Sequence, residues 1–132
     1  MRFLLDTNIC SVYLRQHPLV FQKMLQHSGQ LAMSSITWAE LHSWAAQPTA
    51  PQSRLTALLD LASDVDILPV DREVAELFGQ LRIALRQAGG PVPELDAIIA
   101  ATALTHGLIL VTNNTKDFLR IPSLVLQDWT QP

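Results

Sequence analysis

A chain of 132 residues, 48% of them hydrophobic, with a formal charge of −3 and one cysteine, narrows the field before any motif is read. That length suits one domain able to bury roughly two-thirds of its unfolded surface, and no uninterrupted apolar stretch approaches the ~20 residues of a membrane-spanning helix. Cys10 has no partner for an internal disulfide and the N-terminal MRFLLDTN turns acidic too soon for a secretory leader, so a soluble, cytoplasmic protein is expected.

In chain order, residues 2–5 form a short apolar strand, and 8–16 read as a helix stopped before Pro18. A second helical piece covers 19–26 and closes at Gly29. Residues 31–34 are a strand, and a helix follows over 37–46 up to the loop at Gln47-Pro48-Thr49-Ala50-Pro51. Residues 55–62 are helical and 67–70 a strand. Asp71 caps a long helix running to residue 88, before the breaker Gly89-Gly90-Pro91. Residues 95–106 make another helix with Gly107 as its stop, 108–112 the most apolar strand, and 124–126 a short last one. Five strands alternating with helices predict a three-layer α/β sandwich with a parallel sheet and right-handed crossovers.

Four acids stand where an apolar run ends or a helix begins: Asp6, Glu40, Asp96 and Asp117. In open α/β folds that edge of the sheet is where sites are built. Each also has a local explanation. Asp6 suits an N-cap, Thr37-x-x-Glu40 matches a capping box, and Asp117 follows the polar turn Thr112-Asn113-Asn114-Thr115-Lys116. Asp96 is harder to account for locally, because its helix is apolar on nearly every side and an acid at a buried helix start needs a cation or several donors.

The histidines (His17, His27, His42 and His106) lack the spacing of a zinc helix, and no phosphate-binding or nucleophile-elbow motif is present. Oxygen ligands favour a hard cation, Mg²⁺ or Mn²⁺. The charge of −3 less the −4 of these acids leaves +1 for the rest of the chain, so a metal-loaded surface need not repel phosphate. Arg82, Arg86, Lys116 and Arg120 are the basic residues best placed to meet phosphates, although Arg82 and Arg86 equally suit a solvated helix face.

Taken together, LLDTN, SSITWAEL, ELDAIIAATA, LILVTNNTKDF and the closing LQDW resemble the PIN-domain ribonucleases, specifically the VapC toxins of bacterial toxin–antitoxin pairs. The likeness spans nearly the whole chain. It implies a sheet of order 3-2-1-4-5 and Mg²⁺ held chiefly by Asp6 and Asp96, with Glu40 joining them and Asp117 at the edge of the site. Thr7, Asn8, Thr112 and Asn113 would give polar contacts. It also implies a structured RNA substrate, often tRNA, a VapB-type antitoxin and toxin homodimerisation. Water attacking in line would leave 5′-phosphate and 3′-hydroxyl ends. The fourth motif departs from the common pattern, with Asn114 where many relatives carry an acid. Two rivals are a non-catalytic PIN-fold binding module and an aspartate-based phosphotransferase. The second needs a D-x-D where this chain has Asp6-Thr7-Asn8.

Overall fold

A computed structural model describes residues 1–90 and 92–132, so Pro91 of the Gly89-Gly90-Pro91 breaker lies outside the described residues. The elements are β1 (Phe3–Leu5), α1 (Thr7–Leu14), α2 (Pro18–Gln26), β2 (Leu31–Ser34), α3 (Ser35–Ala45) and α4 (Gln52–Ser63). They continue as β3 (Asp66–Leu68), α5 (Arg72–Gln87), α6 (Glu94–His106), β4 (Ile109–Val111), α7 (Thr115–Phe118) and β5 (Leu126–Gln127). The five strands pair in parallel in the order β3-β2-β1-β4-β5, as expected. Leu5 at the end of β1 stands level with Met33 of β2 and Val111 of β4.

Side chains alternate across the pleat, and this divides the core in two. Phe3, Leu5, Met33 and Val111 pack on one face against Ile9, Val20, Leu41 and Leu58 from α1 to α4. Leu4, Ala32 and Leu110 pack on the other against Leu85, Ile99 and Ala100 from α5 and α6. Each such aliphatic side chain contributes roughly 1.5–3 kcal/mol on burial. Helix α6 is apolar nearly all round because it lies deep: Ala97, Ile99, Ala100, Ala101, Thr102 and Ala103 are all buried. Gly107 ends it with φ +63°, a left-handed conformation that costs glycine nothing. No described helix is long and apolar enough to cross a membrane.

Three local expectations are corrected. Helix α3 starts two residues before Thr37, capped by Ser34, whose Oγ accepts from the Ile36 amide at 3.1 Å. Thr37 is therefore inside the helix, and the Thr37-x-x-Glu40 capping box does not form. Asp117 lies on the short helix α7, because the polar turn winds into helix one residue after Asn114. The last strand runs over Leu126–Gln127 rather than 124–126, set by the pairing of Leu126 with Leu110.

Candidate functional site

Asp6 leaves β1 at the carboxyl edge of the sheet, between neighbours on both sides. Its amide donates to the Val111 carbonyl at 3.0 Å, and its Oδ1 accepts the Ile9 amide at 2.8 Å, capping α1. The capping expectation thus holds, yet the residue is only 4% exposed. Burial pushes its carboxyl up to about 6, outweighing the Thr112 hydroxyl and the Ile9 amide that favour the charged form; the charges of Asp96 and Asp128 push it further.

Asp96 enters from the first turn of α6 and is half-buried. Burial raises its carboxyl above the usual range, and the charges of Asp117 and Glu40 add to the rise. These couplings bring together acids from residues 6, 40, 96 and 117, since screening weakens charges more than roughly 10 Å apart. Among the described residues no group of three or more His, Cys, Asp or Glu side chains is arranged so that it could hold a metal ion as it stands. Like charges repel, and the raised Asp6 and Asp96 carboxyls carry part of that repulsion on top of the larger effect of burial. An all-oxygen set of this kind fits a hard divalent cation.

Two side-chain links hold the flanking acids. Thr7 Oγ1 donates to Glu40 Oε1 at 2.7 Å and lies 3.2 Å from Thr37 Oγ1. Asn114 Nδ2 donates to Asp117 Oδ2 at 2.8 Å, while the Asn114 amide donates to Thr112 Oγ1 at 2.9 Å. Of the polar residues expected at the site, Thr7 and Thr112 therefore touch its acids. Asn8 and Asn113 are exposed, and among the described residues neither side chain bonds to them.

The basic residues are placed differently from one another. Arg82 pairs with Glu94 at 2.7 Å, with Arg86 4.0 Å from the same oxygen. Arg120 reaches the Leu85 and Gly90 carbonyls, closing the end of α5. Lys116 is exposed on α7, one residue from Asp117.

Sequence reading took Thr37 only as a capping-box residue and Asn114 only as a departure from the common pattern, and gave Asp128 no role of its own. Thr37 precedes Glu40 by three positions and so shares its helix face once Ser34 is taken as the cap. Asn114 has the same spacing to Asp117. Asp128, within the closing LQDW, stands just past β5 at the same sheet edge, and its charge reaches Asp6.

Residues 3–124 match the PIN domain family. The chain is 36% identical over 131 residues to the tRNA(fMet)-specific endonuclease VapC of Shigella flexneri, covering 98% of this chain and 99% of that protein. It is 34% identical over 130 residues to Ribonuclease VapC2 of Haemophilus influenzae, covering 98% of each. The fold superposes on the DNA-bound VapBC of Salmonella typhimurium with a TM-score of 0.92 at 33% identity, covering 98% of both chains.

Proposed function

The chain belongs to the PIN-domain family as a VapC-type ribonuclease toxin with a VapB-type antitoxin partner, and from that premise we propose that it is a Mg²⁺-dependent endoribonuclease acting on tRNA. What carries the reading is the place of Asp96 at the start of α6, where it feels the charges of Glu40 and Asp117 and adds its own to Asp6 at the end of β1. Asp6, Glu40 and Asp96 would hold Mg²⁺, or Mn²⁺ in its place, with Asp117 at the margin. When bound, the cation supplies charge stabilisation for in-line attack of water on a phosphodiester, leaving 5′-phosphate and 3′-hydroxyl ends.

The residues' own part is to present charge where it is needed. Thr112 and the Ile9 amide hold Asp6 in a fixed orientation while burial keeps water from screening it. Asp6 must shed its proton to hold a cation, so Mg²⁺ binding at limiting Mg²⁺ is expected to strengthen as pH rises through about 6. Thr7 fixes one oxygen of Glu40, and Asn114 fixes one oxygen of Asp117. Lys116, exposed beside Asp117, offers a cation to the RNA backbone. Homodimerisation belongs to the same reading.

The test incubates wild-type and Asp96→Asn protein with total tRNA in Mg²⁺ or EDTA and sequences the fragment ends. Discrete cuts bearing 5′-phosphates, lost in EDTA and in the variant, are expected. Cutting indifferent to both, or none across RNAs and ions, would favour a binding module that keeps the fold alone.

A further inference from the structure

A helical threonine commonly turns its hydroxyl back onto the carbonyl one turn earlier. Thr56 does so to Gln52 at 3.3 Å, and Thr102 to Ile98 at 2.9 Å. Thr37, inside α3 and fully buried, is placed otherwise: its hydroxyl meets that of Thr7, on α1, at 3.2 Å. Thr7 has one hydroxyl proton, and the closer contact, 2.7 Å to Glu40 Oε1, takes it because a carboxylate only accepts. The remaining contact must then be filled by the proton of Thr37, donated to Thr7 Oγ1. A buried hydroxyl left without a partner would be costly, and this arrangement leaves neither threonine in that state.

We infer that Thr37 is a positioning residue for Glu40, acting through Thr7 in a relay from the buried face of α3 to the acidic edge of the sheet. The inference rests on the metal-nuclease reading above. The relay ties Glu40 to Thr7, the residue that directly follows Asp6 in the chain. It engages Oε1 and leaves Oε2 without a protein partner among the described residues, on a side chain whose charge Asp96 feels. Without the Thr37 proton, Thr7 has less reason to keep its oxygen where Glu40 finds it, and Glu40 gains other rotamers. Hydrogen-bonded groups behind a metal ligand typically contribute about 10–100-fold in affinity or activity.

The experiment titrates Mn²⁺ into the full chain by calorimetry and measures tRNA cleavage at limiting and saturating Mg²⁺. Thr37→Val keeps the volume and loses the hydroxyl, whereas Thr37→Ser keeps the hydroxyl. Thr37→Val and Thr7→Ala should each weaken Mn²⁺ binding about tenfold. Thr37→Ser should bind as wild type does, and the double variant Thr7→Ala/Thr37→Val should bind no more weakly than Thr7→Ala alone, since one residue acts through the other. If Thr37→Val does not fold by thermal melt, Thr37→Ala against Thr37→Ser isolates the same hydroxyl. Wild-type affinity in Thr37→Val, equal loss in Thr37→Ser, or additive losses in the double variant would each overturn the relay alone. A wild-type chain that neither binds Mn²⁺ nor cleaves would overturn the metal-nuclease reading and the relay with it.

Discussion

Asp6 and Asp71 each cap a helix by accepting the amide three residues on, Ile9 at 2.8 Å and Val74 at 3.1 Å. Asp71 does this in the open, on the outer helix α5, where capping accounts for it. Asp6 does it buried at the sheet edge, with Asp96 and Asp128 adding charge nearby. The cap bond favours the carboxylate in both places, but at Asp6 burial outweighs it. A capping role thus says little about whether an acid is also functional; its surroundings decide.

The sharpest way to break this comparison is to neutralise both caps and measure cleavage. Asp6→Asn keeps an acceptor for the Ile9 amide but removes a ligand charge, and should lower the rate on the order of a thousandfold, given the several kcal/mol a metal contributes. Asp71→Asn should leave the rate unchanged. Equal losses in both, or in neither, would end the distinction.

Next in size is the effect on stability. A carboxyl whose folded value lies above its unfolded one binds its proton more tightly in the native state. Its contribution is therefore fully present below 3.8 and is lost as pH rises to about 6. Converted at 1.36 kcal/mol per unit, that loss is about 3 kcal/mol by neutral pH in metal-free protein. Asp6→Asn, neutral throughout, should then unfold at higher denaturant than wild type at pH 7 in EDTA, with the gap closing by pH 4. An unchanged pH slope in the variant would show that Asp6 does not carry this penalty. The smallest effect belongs to the other cap: Asp71→Ala should cost about 1 kcal/mol in denaturant melts, independent of added Mg²⁺.

The fold was readable largely because its strands are short apolar runs closed by polar residues, and its helices carry their own boundary signals, starts at Pro18 and Asp71 and a stop at Gly107. Legibility failed where tertiary contact overrides local pattern. Thr37-x-x-Glu40 has the letters of a capping box, but β2 extends to Ser34 and hands the cap to that residue, freeing Thr37 for a partner thirty positions away. Helix α7 is too short to show a period. Among the expected RNA contacts, Arg82 is paired with Glu94 and Arg120 is spent on backbone carbonyls, which charge alone cannot reveal. Asp6, Glu40, Asp96 and Asp117 stood out in sequence. Asp128 was visible only as part of LQDW, because its relation to Asp6 exists only once β5 has joined β4.

The sheet order also has a consequence for synthesis. Strand β1 is central, and one side of its ladder waits for β4, so Phe3 must find Ile109 across more than a hundred residues of chain. At typical elongation rates those residues take on the order of ten seconds to be made. Until then β1 can pair only with β2, and the acids of residues 96 and 117 do not yet exist beside Asp6. A chain that has not yet reached α6 and α7 thus lacks two of the four acids, and the acidic edge becomes whole only once β4 has joined β1.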